Sequence, residues 1–231
     1  MNSAAASPRG SSQGGVRQYN ERVVLEAVRL QGALPAADIA RQTQLTAQTV
    51  SMIAKRLLDD GLLVKGAPQR GKVGQPLVPF SLNPDGAFSI GLKIGRRSGD
   101  LILLDLTGKV RRKVHQPYVF PTPQKIMDFV AVELEGLLSG LSPEQKSRIS
   151  GLGIATPFEL WNWEEEIGAS HEVLEAWRDF DIAAEIAKLG GWPVHFSNDA
   201  TAACAAELLF GRGNRFNSYA YFFVGYFVGG G

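Results

Sequence analysis

Cysteine is almost absent from this chain: Cys204 is the single one among 231 residues. One thiol excludes an intramolecular disulfide and any multi-cysteine metal cage. Long apolar runs are missing too, and no stretch approaches the roughly 20 apolar residues that span a bilayer. No membrane partner is therefore expected. Residues 1–18 are rich in Ser, Gly and Ala but lack the apolar core of a secretory signal, so they read as a flexible tail and the cytoplasm as the address. Histidine is scarce. His115, His171 and His195 are too scattered for a metal constellation or a paired catalytic group, and read as surface or packed side chains. No cofactor or metal site is expected. A dominant charge of one sign is also lacking, since the formal net charge is +1.

What is present is the composition of an ordinary globular protein, 45% apolar and 20% charged, long enough for one or two domains with real cores. The near-neutral total conceals an asymmetry. Residues 1–80 carry 10 Lys+Arg against 5 Asp+Glu, whereas residues 81–231 carry 14 against 18. A basic first third joined to a mildly acidic remainder implies two modules with different partners.

In the first module, Val24, Ala27 and Val28 recur at helical spacing over residues 19–30, and Gly32 ends the run. Pro35 opens a short second helix over 36–42, as proline is tolerated in a first turn. Thr46 is placed to cap a third, over 47–60, its hydroxyl accepting from a free amide. There Val50, Ile53, Ala54, Leu57 and Leu58 form one apolar stripe, leaving Gln48, Thr49, Ser51 and Lys55 toward solvent, with Met52 at the margin. Gly61 is a fitting stop. Strand-like runs at 62–65 and 77–82 then flank a loop holding Arg70 and Lys72 and no acid.

Two short helices around a tight turn, followed by such a hairpin, describe a winged helix-turn-helix over residues 19–82. A helix fits the major groove of double-stranded DNA, where Gln48 and Thr49 meet base edges while Thr46 and Ser51 stand at the same exposed end. Lys55, Arg70 and Lys72 are suited to phosphates, which supply affinity without sequence information. A three-helix protein-interaction module with a solvated basic loop is the competing reading.

After the turn cluster Asn83-Pro84-Asp85-Gly86 the pattern changes. Residues 87–94, 101–106 and 110–119 read as an antiparallel meander, 123–139 as a helix and 150–156 as a buried strand. Residues 174–189 read as mainly helical, 193–197 as a short strand, 200–210 as a helix of small residues and 219–224 as a further strand. This is an α/β order with a mixed sheet, occupying 87–231.

Several ordered stretches resemble the ROK family (repressors, open reading frames and sugar kinases). They are DIARQTQLTAQTVSMIAKRLLDDGLL, the wing GKVGQP, LNPDGAFSIGLKIGRRSGDLILLDLTGKV, GLGIATP, PVHFSNDATAACAAELLFGRG and the ending GYFVGGG. The resemblance implies a winged helix-turn-helix joined to an actin-like, ribonuclease H-like sugar-binding domain. It also implies that the chain stops where the second lobe of that domain begins. That lobe carries a glutamate-histidine sugar contact and, in many members, a zinc-binding cysteine cluster. The expectation is then of a first lobe only, exposing an apolar face that invites aggregation or dimerisation.

Kinases of the family hold ATP phosphates with an aspartate-glycine turn after the first strand and a threonine-glycine turn near the GGG run. Here Lys93 replaces that aspartate, and a cation cannot hold Mg²⁺, which takes oxygen ligands. Tyr226 and Phe227 stand in the second turn, too large for a phosphate cradle. Phosphoryl transfer is therefore not expected, and a sugar kinase with an accessory DNA-binding domain is the runner-up. Asn198-Asp199 is the best-placed polar pair, following a strand and opening a helix. The resemblance assigns it to the hydroxyls of a sugar effector; spacing alone assigns it to capping the helix, and the two roles can coexist.

The remaining candidates are weaker. Gly225, Gly229, Gly230 and Gly231 read as a turn between strands, Glu164-Glu165-Glu166 as a solvated loop, and Trp161, Trp163 and Trp177 as packing, with Trp163 or Trp177 the alternative sugar platform. Phe158 departs from the family's Pro-Gly after the buried strand. The resulting expectation is a homodimeric DNA-binding regulator of carbohydrate-utilisation genes, a repressor by resemblance, released by a sugar or phosphosugar.

Overall fold

The computed structural model describes residues 13–68, 77–163, 168–225 and 228–230. Its contacts divide the chain into two compact units, meeting between Gly86 and Ala87.

The first unit opens with α1 (Gln13–Gln31), which starts inside the stretch read as a tail. Val24 and Val28, one turn apart, are its fully buried residues. Gly32, at φ +84°, ends it with an amide donating to the Val28 carbonyl at 2.8 Å. α2 (Ala36–Thr43) and α3 (Ala47–Asp59) follow. Ile39 from α2 and Val50, Ile53, Ala54 and Leu57 from α3 close over α1, as the apolar stripe requires. β1 (Ala33–Pro35), β2 (Leu63–Lys65) and β3 (Pro79–Leu82) form an antiparallel sheet in the order β1-β3-β2. β1 has no counterpart in the sequence reading, because three residues are too few to show a period. The loop bearing Arg70 and Lys72 lies outside the described residues, as do Tyr226, Phe227, Gly231 and the Glu164-Glu165-Glu166 run.

The second unit is built on a five-stranded mixed sheet. β4 (Phe88–Ile94), β5 (Ser98–Asp105) and β6 (Val110–Pro117) make the expected antiparallel meander. β7 (Ile149–Thr156) and β8 (Val194–Asn198) add in parallel beside β4, giving the order β6-β5-β4-β7-β8. On β4 the buried side chains alternate as Phe88, Ile90, Leu92 and Ile94, the period-2 signature of a sheet face. They pack under α4 (Pro123–Leu138), which contributes Ile126, Phe129, Val130, Leu134 and Leu137.

Between α4 and β7 lies α5 (Pro143–Ser147), unread in the sequence although its Ser142–Gln145 pair forms a complete capping box. The stretch 174–189 resolves into two helices instead of one. They are α6 (His171–Glu175) and α7 (Ile182–Gly190), and the Asp181 carboxylate restarts the second by accepting from the Ala184 amide at 3.0 Å. α8 (Asp199–Phe210) follows β8 directly. Beyond it, β9 (Phe222–Val224) and β10 (Val228–Gly230) pair as a separate hairpin, so Gly229 and Gly230 lie within a strand rather than in a turn.

Candidate functional site

Two surfaces hold the sequence candidates, one in each unit. In the first, Thr46 does what its position predicts. Its Oγ1 accepts from the Thr49 amide at 3.1 Å and lies 2.8 Å from Thr49 Oγ1. Ser51 Oγ donates to the Ala47 carbonyl at 2.8 Å. These three hydroxyls are thus engaged in holding the first turns of α3, while Gln48 and Lys55 are exposed on its outer face. Met52 shares that face at 52% exposure, and Arg56 is tied to Glu21 at 3.1 Å. The turn before α3 passes through Gln44, held at φ 58°, a left-handed conformation that residues other than glycine adopt at some cost.

In the second unit a cavity of about 720 Å³ opens at the ends of β4, β7 and β8, inside the range of small-molecule sites. Lys93, Arg96, Glu159, Asn162, Asn198 and Asp199 supply its polar groups. Phe158, Trp163 and Phe223 supply apolar walls, and Gly225, Gly229 and Gly230 line it from the β9–β10 side. Asn198 and Asp199 arrive together because β8 runs parallel to β7 and ends level with it, Thr156 opposite Asn198. The ends of parallel strands are the usual place for a ligand in such sheets.

The capping role is realised at that wall. Asn198 Oδ1 accepts from the Ala200 amide at 3.0 Å and the Thr201 amide at 3.3 Å, and Asp199 Oδ1 accepts from Ala200 at 2.8 Å. Gly229 comes in close: a Cβ there would sit 3.0 Å from that of Ala200. Lys93 is exposed on β4, opposite Asp100 of β5 and Ala155 of β7. Of the aromatic candidates, Trp163 lines the cavity. Trp177 instead is buried, with Nε1 donating to the Pro121 carbonyl at 3.2 Å and its ring edge-on to Phe180. Phe158 is 66% exposed at the rim. Arg96, Glu159, Asn162 and Phe223 were absent from the sequence candidates; Glu159 and Asn162 are local neighbours, but Arg96 and Phe223 lie far from them in the chain, and only folding brings the three segments together.

Comparison with known proteins agrees with this architecture. Residues 89–231 match the ROK family profile and residues 18–72 match that of the MarR family. The chain belongs to the ROK family, with a helix-turn-helix region ahead of its mixed α/β domain. Among curated relatives, an uncharacterised protein of Sinorhizobium fredii is 25% identical over 92% of this chain and 54% of its own length. The xylose repressor of Bacillus subtilis is 21% identical over 89% of this chain and 53% of its own. The DNA-binding transcriptional dual regulator NagC of Escherichia coli is 28% identical over 52% of this chain and 30% of its own.

The chain thus spans about half the length of these first two curated relatives. A crystal structure described as a ROK family transcriptional regulator, homologous to the E. coli MLC protein, superimposes with a TM-score of 0.64. It is 20% identical and covers 94% of this chain and 54% of that one. It shows the same fold.

Proposed function

We propose that this chain acts as a DNA-binding transcriptional regulator, a repressor of carbohydrate-utilisation genes. The carrying observation is α3: an N-capped helix whose buried stripe docks on α1 while Gln48 and Lys55 face outward. That display suits the major groove, Gln48 hydrogen-bonding base edges and Lys55 neutralising phosphate. Arg70 and Lys72, which follow α3 in the chain, would add phosphate contacts. The names carried by the xylose repressor and NagC support this reading. A homodimer on a pseudo-palindromic operator is the arrangement that helix-turn-helix proteins use.

The effector would occupy the cavity of the second unit. The amide caps of α8 engage Asn198 Oδ1 and Asp199 Oδ1, so Asn198 Nδ2 and Asp199 Oδ2 would serve vicinal hydroxyls as donor and acceptor. A sugar or phosphosugar there regulates DNA binding by favouring one domain arrangement over another. The protein is not an enzyme in this reading, because Lys93 occupies the place where a phosphoryl-transfer site needs a carboxylate.

The test is a gel-shift titration of the full chain against DNA flanking its own gene. Binding should weaken steeply with salt, Gln48→Ala should change preference among sequences, and Lys55→Ala should weaken all sequences alike. A full chain that ignores every duplex at low ionic strength sinks the proposal. Turnover of ATP with a hexose sinks its non-enzymatic part.

A further inference from the structure

The second unit is acidic as a whole, but its charge is divided along the chain. Residues 93–116 carry seven Lys+Arg against two Asp+Glu, whereas residues 117–231 carry seven against 15. Four of those seven, Lys109, Arg111, Arg112 and Lys113, fall on or beside β6, the edge strand of the five-stranded sheet, whereas Lys93 and Arg96 line the cavity. Side chains on a strand alternate between faces, and here both faces of the edge are cationic. Lys113 and His115 share the face of Asp100, whereas Arg111 and Arg112, beside a register shift, both lie on the other, Arg111 against Asp105 and Phe88 and Arg112 against Ser139; Lys109 stands in the turn that enters the strand.

The two acids do not cancel this row. Asp105 is buried and its oxygens accept from the Thr107 and Lys109 amides, the Thr107 hydroxyl and Arg111, so it serves the hairpin. Asp100 lies 2.9 Å from both Lys113 Nζ and His115 Nδ1, one carboxylate shared by two partners, and Lys113 is still 56% exposed. Arg112 donates to the neutral Ser139 hydroxyl at 3.0 Å, and among the described residues Lys109 and Arg112 have no carboxylate partner. Cations on an edge strand also guard against edge-to-edge pairing. That guard works with either sign and with one or two charges, and it leaves unexplained a basic edge on an acidic body.

We propose that the β6 edge of the second unit is a DNA contact in its own right, a phosphate-binding rail that grips duplex backbone. The inference rests on the regulator reading. An acidic body is repelled by DNA, and a basic edge gives it one face on which approach is favourable. Contacts of this kind carry no sequence information but add to affinity and to its salt dependence.

The experiment measures binding of the full chain to a long non-operator duplex from about 50 to 200 mM salt. The triple variant Lys109→Gln/Arg112→Gln/Lys113→Gln should give a log–log salt slope shallower by about 2 to 3, with an unchanged unfolding midpoint. The triple Lys125→Gln/Lys146→Gln/Lys188→Gln, of equal net charge, should keep the original slope. An unchanged slope in the first triple, while the unmodified chain binds DNA, overturns the rail and leaves the regulator reading standing. Equal loss in both triples reduces the effect to net charge and also overturns it. Competition by polyglutamate as strong as by duplex DNA overturns the choice of partner. Failure of the unmodified chain to bind any duplex removes both readings together.

Discussion

Thr46 shows how much one hydroxyl contributes at the start of a short helix. α3 begins at Ala47 with four amides lacking intrahelical acceptors, and Thr46 Oγ1 takes that of Thr49. Thr46→Ala should lower stability by about 1 kcal/mol, read as a drop in thermal midpoint, whereas Thr46→Ser should restore most of it. Asp105 makes a comparable local commitment with a charge. Burial pushes its carboxyl pKa up, but hydrogen bonds from the Thr107 hydroxyl, the Lys109 and Thr107 amides and Arg111 outweigh that and hold it below the ordinary value. A folded pKa below the unfolded one, near 4, contributes stability that is complete above that value and vanishes as the pH falls through the folded pKa. Asp105→Asn should therefore cost about 1 to 3 kcal/mol at neutral pH and flatten the acid limb of a stability-versus-pH curve. Equal acid sensitivity in both proteins refutes the assignment.

Between elements, the β5–β6 turn is fixed by one glycine. Gly108 sits at φ +83°, and a Cβ there would lie 2.2 Å from the Phe210 ring at the end of α8. Gly108→Ala meets both obstacles and should destabilise the protein by more than the roughly 1 to 2 kcal/mol of the left-handed backbone alone. Adding Phe210→Ala should recover the steric part and leave the backbone part, a sub-additive pair in a double-mutant cycle; strict additivity would place the two residues out of contact.

At this scale, too, lie the limits of reading the sequence. The meander, α4 and β7 were legible because alternation or helical periodicity persists over many residues, and Thr46 was legible from cap chemistry. The first turns of α1 were hidden by Gly14 and Gly15, weak helix formers. The break before α7 was hidden because Trp177, Phe180 and Ile182 continue an apolar pattern across it. Asn198 and Asp199 could be found from the strand-to-helix junction. The opposite wall could not, since nothing local to Glu159, Asn162 or Phe223 says that they face β8.

The whole molecule distributes apolar surface as unevenly as charge. In the core of the second unit, the sheet face under α4 is sealed by Ile126, Phe129 and Val130. Around β8 to β10 the opposite holds: Phe196, Phe222, Val224 and Val228 are exposed, the last three at 72%, 77% and 73%. Val224 and Val228 stand directly opposite each other in the hairpin register, so their exposed methyl groups add to one surface rather than scatter. Burying a Val or Phe side chain is worth about 1.5 to 3 kcal/mol, and contiguous apolar patches on soluble proteins mark surfaces that bind something. An environment-sensitive dye should accordingly brighten on the native chain before any unfolding transition. Val224→Ser/Val228→Ser should reduce that signal several-fold without lowering the thermal midpoint, because neither side chain belongs to the buried core. Unchanged emission in the double variant would locate the dye elsewhere and show that these methyl groups are shielded in solution.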